Sequence, residues 1–454
     1  MRIDLTIPQK PVSLRPMAAN DASQVAKWVD QGRSEGVFLR GTHLSVHSVL
    51  QYQSKMQQSG WNYRCQVIEF ANAGVGYVDY RHLRTIGEIL GIYLEPWARR
   101  KGVGEYALHW VLAALRDVGC QKVRGEVYDH NSASIQTIRA AGFKLSSSGH
   151  RIEDNRRVLA YYRYLSPYPR LTPYSEQFRT LHGRNQYLRL AALAEVLIRR
   201  IRAVKSVDVI LGLGALSRGF ADEFSDLDLA VLGHGSEIRG FWRGERWLAG
   251  LSVDVYPVDT KIAPPCRWDE SRRQAFGEGV VLFARNTALL RDIEHWVRLR
   301  DNERVEKIKE LIFHIGWIGF EPRTWFGREK HGYVWSLPFD LWVRRGDIAS
   351  AHLTVDYALD YAIRLLFLTN GSLVPDPKWR RFLANGLPWL PPKFGGMLTR
   401  AELGTRDHRG FFARAQSVLT IIEGTIRHLE KEGVIRGDIY NDYLRNSTDY
   451  DPMI

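Results

Sequence analysis

Residues 225–232, SDLDLAVL, place two aspartates on alternate positions of an apolar run, shortly after the glycine-rich stretch 212–219, GLGALSRG. Side chains two residues apart on a strand share a face, so Asp226 and Asp228 point together while the intervening leucines point to the core. Two carboxylates about 4 Å apart repel each other by about 4 kcal/mol at an effective dielectric constant of about 20. Because a divalent cation is the usual partner that offsets such repulsion, the pattern predicts a strand that carries a metal site.

A third carboxylate follows on a later predicted strand. Residues 251–258, LSVDVYPV, hold Asp254 between two valines. Three carboxylates at one sheet edge suit Mg²⁺, which takes oxygen ligands and shares them with substrate phosphates. The preceding strand, VDVILGL, runs into a glycine turn whose exposed N–H groups attract phosphate. Two such ions can activate an attacking hydroxyl and stabilise a leaving pyrophosphate, which is the chemistry that the pattern favours.

The stretch GALSRG–FADEFSDLDLAV, followed by VDVYPV, resembles the polymerase-β-type nucleotidyltransferase superfamily. It is especially similar to the small, helix-capped members that adenylylate aminoglycosides and lincosamides. The resemblance implies that Asp226, Asp228 and Asp254 are catalytic and hold Mg²⁺. It also implies ATP or another nucleoside triphosphate as the donor, and transfer of its nucleotidyl group to a hydroxyl.

The same resemblance implies a set of nucleotide contacts. These are Gly214, Ala215, Ser217, Arg218 and Lys378. Ala215 departs from the Ser or Gly of that family, so a hydroxyl contact is lost, and Ser217 or Arg218 could replace it. Lys378 lies in LLFLTNGSLVPDPKWRRFL, which resembles the part of the capping helices that meets the substrate. The general base is left open between Asp356 and Asp360, which share a predicted helix face.

A second phosphate-binding pattern lies nearer the start of the chain. EILGIYL (88–94) predicts a strand, and ARRKGVG (98–104) predicts a glycine turn with three positive charges. Val103, Ala107 and Val111 then recur every four residues, which predicts a helix with one buried face. A basic glycine turn at the start of a helix directs backbone donors and the positive end of the helix dipole at an anion.

The turn and a later stretch together resemble the GNAT superfamily of acetyl-coenzyme A-dependent N-acetyltransferases. Residues 99–104, RRKGVG, match its coenzyme loop, and Asn131-x-x-Ser134 with a following AGF is similar to its ribosomal-protein N-terminal acetyltransferase branch. The resemblance spans roughly residues 10–165 and implies acetyl-CoA as a ligand. The implied contacts are Arg99, Arg100, Lys101, Gly102, Val103, Gly104, Asn131 and Ser134.

The catalytic group of this first region is less specified. Many GNAT enzymes place a tyrosine seven residues after the asparagine, where this chain has Ile138. The resemblance implies Glu88, at the start of the core strand, as the base. A domain that binds acetyl-CoA without turnover is the alternative.

The order of patterns predicts an α+β chain of three domains. Residues 1–165 are predicted to form a GNAT-like mixed sheet with helices, residues 175–267 a nucleotidyltransferase-like mixed sheet, and residues 268–454 a helical bundle. Pro167, Pro169 and Pro173 mark the first linker, since each fixes φ and removes a backbone donor.

Composition limits the remaining possibilities. A net charge of +13 is compatible with a role in solubility alone, or with binding of coenzymes, nucleotides or RNA. Cys65, Cys120 and Cys266 are too few and too widely spaced for a disulfide framework or a zinc site made of thiolates alone. With no signal-like start and no long apolar run, we expect a cytoplasmic location and no membrane segment.

Three functions remain as hypotheses. The first is a bifunctional transferase that acetylates and nucleotidylates a small molecule, such as an aminoglycoside-like antibiotic, in antibiotic resistance. The second is a toxin-like nucleotidyltransferase that modifies tRNA, with the GNAT domain as a binding or regulatory module. The third is a non-enzymatic sensor of nucleotide and coenzyme.

Overall fold

The computed structural model describes residues 7–36, 51, 62–153, 155–165, 185–241, 244–320 and 338–435. It divides into two compact units. The first comprises residues 1–264 and 278–291, and the second comprises residues 265–277 and 292–454.

The first unit opens with a seven-stranded mixed sheet of order β1-β2-β3-β4-β5-β7-β6. Its strands are β1 (Val12–Pro16), β2 (Asn62–Phe70), β3 (Ala73–Leu83), β4 (Ile86–Leu94), β5 (Lys122–Tyr128), β6 (Lys144–Glu153) and β7 (Arg156–Tyr164). Its helices are α1 (Ala22–Ser34), α2 (Val103–Asp117) and α3 (Ser132–Ala140). Neighbouring strands run antiparallel, except that β4 and β5 are parallel.

A second, five-stranded mixed sheet has the order β10-β11-β9-β8-β12. Its strands are β8 (Val207–Gly212), β9 (Leu227–Gly233), β10 (Gly244–Leu248), β11 (Leu251–Asp259) and β12 (Val280–Ala284). The helices around it are α4 (Tyr187–Ile201), α5 (Gly214–Arg218) and α6 (Ser236–Arg239). β9 and β11 run parallel, whereas the other pairs are antiparallel. β12 extends this sheet past residue 267, the end expected for the middle domain.

The remaining helices belong mainly to the second unit. They are α7 (Glu270–Gly277), α8 (Thr287–Trp296, which begins in the first unit), α9 (Asp301–Trp317), α10 (Leu341–Arg344), α11 (Ile348–Thr369), α12 (Pro377–Ala384), α13 (Phe394–Leu403) and α14 (His408–Lys431). α11 is the central helix, because α9 and α14 both pack against it and most of its aliphatic side chains are buried.

One hydrophobic core runs through both sheets of the first unit. It takes in Tyr106 and Leu112 from α2, Leu190 and Leu197 from α4, and Val253 from β11. α2 and α4 pack directly against each other. The two sheets therefore share a hydrophobic core within the first unit.

Charged side chains accompany this apolar contact. Glu195 of α4 accepts hydrogen bonds from Arg116 of α2 at 3.2 Å and from Arg163 of β7 at 3.1 Å. Burial alone would raise the pKa of Glu195, but the two guanidiniums hold it below its usual value. These ion pairs fix the rotation of α4 against α2.

The predicted fold class is confirmed as far as its coarse architecture goes: two mixed sheets and many helices. Cys65 and Cys120 are buried and Cys266 is exposed, all as free thiols. None of the helices in the described part of the chain is long and apolar enough to cross a membrane. The three-domain division stays a prediction, and its first linker lies outside the described residues.

Candidate active sites

The basic turn between β4 and α2 forms as the sequence predicts. A short 3-10 turn, Pro96–Ala98, is followed by Arg100 at φ 59° and Gly102 at φ 78°. These left-handed residues reverse the chain so that α2 begins at Val103. Tyr106 is the first residue of α2 seen to donate back into the helix, to Gly102 O. The N–H groups before it point out of the helix end, where an anion would be favoured.

The cations of the turn have different roles. Arg99 is held in place, because its Nε donates to Leu94 O at 2.8 Å and its Nη2 donates to Glu35 at 2.8 Å. Lys101 Nζ lies 5.4 Å from the centre of the Trp97 ring. Arg100 is exposed. Arg99 therefore stabilises the turn, while Arg100 and Lys101 present charge to solvent.

The parallel pair next to this turn separates part-way along. The register between β4 and β5 covers only Ile86–Ile89 opposite Lys122–Gly125, although both strands are described to their ends. Beyond that point Leu90–Leu94 has no ladder with β5. In the pairing with β3, Leu90 is an extra residue, so β4 has a bulge where the separation starts. The gap leaves an edge of β4 that β5 does not cover.

Asn131 and Ser134 lie together at the start of α3. The Oδ1 atom of Asn131 accepts a hydrogen bond from the Ser134 N–H at 3.1 Å, which is a helix N-cap. A Cβ on Gly104 would lie 3.4 Å from Thr137 Cγ2, so α3 also lies close to the first turn of α2. Ile138, at the position of the expected tyrosine, is buried in the core.

Glu88 lies where β4 and β5 are still paired. Its carboxylate pairs with Arg81 at 2.5 Å, and Arg124 approaches it at 3.8 Å. The structure therefore places Glu88 in an ion-pair network before the strands separate. Its role as a base stays a prediction.

A second carboxyl near the gap is absent from the sequence predictions. Asp79 of β3 is buried and accepts a hydrogen bond from the Tyr63 hydroxyl at 3.2 Å. It pairs with Gly91, the residue after the β4 bulge. Burial raises the pKa of Asp79 to about 7, although the Tyr63 hydrogen bond acts the other way. An aspartate on an otherwise apolar and aromatic strand, GYVDY, is the signal that could have pointed to it.

The second candidate site is the carboxylate cluster Asp226, Asp228 and Asp254. In the parallel pair of β9 and β11, Asp254 lies directly opposite Asp228, and Asp226 precedes β9. One carboxylate oxygen of each residue lies within 4.8 Å of the others. The predicted convergence is therefore present. Like charges directly opposite on paired strands are destabilising, which a bound cation would relieve.

The glycine turn lies against this cluster. Gly214 has φ 53°, and a Cβ placed on it would come within 3.0 Å of Asp228 Oδ2. The backbone N–H of Leu213 donates to Asp228 O at 3.0 Å, which ties the turn to β9. Only glycine allows this approach, so the turn and the carboxylate form one unit.

The predicted nucleotide contacts are distributed unequally. Ser217 is completely buried, and its hydroxyl donates to Gly214 O at 3.0 Å, so it supports the turn from inside. Arg218 lies 3.6 Å from Glu278, and Ala215 is half-buried beside Gly214. Lys378 is exposed in the first turn of α12, in the second unit. The structure does not place Ser217 for direct phosphate contact.

Tyr256 is a neighbour of the cluster that the sequence reasoning missed. Its hydroxyl donates towards Asp254 Oδ2 at 3.3 Å and Asp228 Oδ1 at 3.4 Å. Burial and these carboxylates raise the pKa of Tyr256. Tyr256 is two residues after Asp254 on β11. Because alternate residues of a strand share a face, the sequence could have placed the two side chains on the same face.

The two candidate bases of the second unit are engaged in ion pairs. Asp356 pairs with Arg414 and with Arg406, and Asp360 pairs with Arg380 at 2.5 Å. Burial alone would raise the pKa of Asp356, but hydrogen bonds from Arg406 and Arg414 keep it below its usual value. Both carboxylates therefore have structural partners.

Comparison with known proteins supports one of the two resemblances. Residues 39–143 match the model of the Acetyltransferase (GNAT) family. This match confirms the prediction of a GNAT acetyltransferase domain in the first part of the chain, and the nucleotidyltransferase domain stays a prediction. The comparison with curated proteins found no match.

Solved structures similar to this chain cover about a third of it. Spermidine N-acetyltransferase from Vibrio cholerae, in complex with CoA and spermine, is 17% identical over 34% of this chain and 96% of its own, with a TM-score of 0.31. A GNAT superfamily phosphinothricin acetyltransferase from Sinorhizobium meliloti, in complex with AcCoA, is 23% identical over 34% of this chain and 89% of its own, with a TM-score of 0.30. Ribosomal-protein-alanine N-acetyltransferase from Brucella melitensis is 18% identical over 34% of this chain and 99% of its own, with a TM-score of 0.30.

Proposed function

We propose that the chain is a transferase with two activities: acetyl transfer from acetyl-CoA at the first sheet, and nucleotidyl transfer from ATP or another nucleoside triphosphate at the second. The first activity rests on the GNAT family match and on one structural observation. The basic turn at Arg99–Gly104 directly follows the part of β4 that has left β5.

The residues around the gap divide the work of holding acetyl-CoA. Outward N–H groups of the first turn of α2, with Arg100 and Lys101, bind the pyrophosphate. The edge of β4 that β5 does not cover pairs with the amides of the extended coenzyme arm, as an added strand would. When bound, acetyl-CoA supplies a thioester carbonyl that an amine can attack.

The proton of the amine needs an acceptor near the β4 bulge. A base works best when its pKa lies near the operating pH. Asp79 meets this condition and is adjacent to the bulge, whereas Glu88 is paired with two arginines. We therefore favour Asp79 over Glu88 as the base.

Release of free CoA thiol from acetyl-CoA tests this activity, with polyamines, an N-terminal alanine peptide and aminoglycosides as acceptors. We expect Asp79→Asn to lower kcat by about 10²-fold or more at pH 8, and Glu88→Gln to act mainly on stability. No thiol release with any amine, while acetyl-CoA still binds, would leave the domain as a binding module.

The second activity is carried by the carboxylate cluster beside the glycine turn. Asp226, Asp228 and Asp254 offer an all-oxygen ligand set, which suits Mg²⁺. Mg²⁺, when bound, would neutralise charge on a triphosphate, favour deprotonation of an acceptor hydroxyl and stabilise the leaving pyrophosphate. The turn at Gly214 contributes backbone N–H groups towards the same place.

Metal binding can be measured separately from turnover. Titration calorimetry with Mn²⁺ and Mg²⁺ should show binding that Asp228→Asn abolishes and that Glu306→Gln, an exposed substitution in the second unit, leaves unchanged. Pyrophosphate release from Mg-ATP should require Asp226. Metal binding without pyrophosphate release, whatever the acceptor, would favour the sensor hypothesis over the enzyme.

The acceptor is proposed as a small amine- and hydroxyl-bearing molecule, which would serve both activities. Mass spectrometry after incubation with aminoglycosides, ATP and acetyl-CoA would reveal added acetyl or adenylyl groups. Salt-sensitive tRNA binding and nucleotide addition to tRNA would favour the second hypothesis instead.

A further inference from the structure

A cleft at the end of α4 belongs to neither candidate active site. It has a volume of about 530 Å³ and is lined by Arg199, Arg202, Ala203, Phe283 and Arg285. All five residues lie in the first unit. Such a volume is within the range of about 300–1,000 Å³ that small-molecule sites occupy.

The cleft lies at the opposite end of the second sheet from the carboxylates. β8 and β12 are antiparallel, and Ala284 pairs with Val209 near the start of β8. β8 and β9 are also antiparallel, and Leu229 pairs with Gly212 at the end of β8. Asp228 lies next to that end, so the length of β8 separates it from the cleft.

The charge of the cleft is strongly positive. Arg199 and Arg200 share one carboxylate, Glu105, at 2.8 Å and 3.3 Å. Arg202 is exposed and has no ion pair within the described part of the chain. Three arginines therefore line the cleft, and Arg199 has Glu105 as its counter-charge.

Arg285 builds the wall of the cleft. Its guanidinium donates to the backbone oxygens of Arg202 at 2.6 Å, Lys205 at 2.6 Å and Val204 at 3.2 Å. These carbonyls follow the end of α4, where a helix needs donors and favours positive charge. The same guanidinium lies 5.4 Å from the centre of the Phe283 ring.

We propose that this cleft binds a nucleoside phosphate, at a site separate from the carboxylate cluster. Guanidinium groups match phosphate oxygens in a bidentate geometry, and the cleft is lined by Arg199 from the last turn of α4 and by Arg202, the residue that follows the helix. Phe283 offers a flat apolar surface for a base. The cleft is open to solvent, and its volume of about 530 Å³ matches a single small ligand.

Titration calorimetry in EDTA tests the proposal, since removal of divalent metal prevents recruitment of nucleotide to the carboxylates. The probes are AMP, adenosine, inorganic phosphate and a single-stranded RNA oligonucleotide. AMP should bind more tightly than adenosine or inorganic phosphate. Arg202→Ala should weaken AMP binding by about ten- to a hundredfold, because a charge-assisted hydrogen bond is lost.

The control variants separate this site from the others. Arg427→Ala removes another exposed arginine, from α14, and should leave AMP binding unchanged, as should Asp228→Asn at the carboxylate cluster. Arg202→Lys, which keeps the charge, and Phe283→Leu, which keeps the apolar volume, should each weaken binding in a folded protein. Three results would overturn the proposal: no AMP binding, AMP binding by Arg202→Ala that is as tight as that of the wild type, or tight binding of the RNA without binding of AMP.

Discussion

Gly214 lies so close to Asp228 that no side chain fits between the glycine Cα and the carboxylate. Its φ of 53° is also a conformation that disfavours residues with a Cβ. The turn therefore sets the position of one of the three carboxylates.

We expect Gly214→Ala to push the Asp228 carboxylate away and to weaken Mn²⁺ binding by about tenfold or more, since metal sites tolerate little displacement of a ligand. The left-handed φ should also cost about 1 kcal/mol of stability. Gly119→Ala is the matched control, because Gly119 has φ 86° and open space around it. If both variants lose stability equally and both keep metal affinity, the contact between Gly214 and Asp228 has no role in the site.

The buried carboxyl of Asp79 predicts a dependence of stability on pH. Its pKa is about 7 in the folded protein against about 3.9 in an unfolded chain. Between these values the folded state keeps a proton that the unfolded state has released, so its contribution to stability falls as pH rises from about 4 to about 7. Asp79→Asn should therefore gain stability over the wild type as pH rises, by at most about 4 kcal/mol at pH 8. Urea unfolding at pH 5 and pH 8 measures this, and a difference that is the same at both pH values would contradict it.

Glu195 stabilises the contact between the helices of the two sheets. Glu195→Gln would leave Arg116 and Arg163 without their counter-charge, so we expect a loss of about 1–3 kcal/mol at pH 7. Because the folded pKa of Glu195 is lowered, the wild-type contribution should itself be lost as pH falls below the unfolded value of about 4.3. Glu306→Gln, at an exposed pair in α9, should change stability by less than about 0.5 kcal/mol. Equal effects in urea unfolding would show that the Glu195 pairs contribute little.

The basic turn before α2 predicts how acetyl-CoA affinity responds to charge. Arg100→Ala with Lys101→Ala should raise the Kd for acetyl-CoA by about tenfold and flatten its salt dependence, since exposed charges act through screened attraction. Arg99→Ala should mainly lower the melting temperature, because Arg99 bonds to Leu94 O and Glu35. A salt dependence that the double variant leaves unchanged would place the coenzyme elsewhere.

Local patterns predicted much of this structure. The helices at 301–317, 348–369 and 408–431 follow the apolar spacing of their sequences, and the turn at 98–104 ends where its glycines predict. In each case the signal comes from residues within a few turns of one another. Over such a short stretch the conformational preference of the backbone and the pattern of apolar residues favour the same element, and both can be read from the sequence.

Other features depend on residues that are far apart. β12 joins β8 although the sequence around it predicts a helical region, because β8 had a free edge. Ser217 looked like a phosphate ligand, but packing turned its hydroxyl inward to Gly214 O. The burial that perturbs Asp79 comes from the partners of β3 on the sheet, and no spacing in GYVDY predicts its extent.

The sequence by itself determined which residues alternate on β9, where glycine must turn the chain, and which helix faces are apolar. These depend on the chirality and size of neighbouring residues along the chain. Only the tertiary structure decided that Asp254 stands opposite Asp228, that α4 packs on α2, and that Arg285 closes the end of α4 to form the arginine cleft. Those pairings result from burying apolar surface over the whole first unit, and the buried area depends on contacts between distant segments, which no single segment of the sequence reveals.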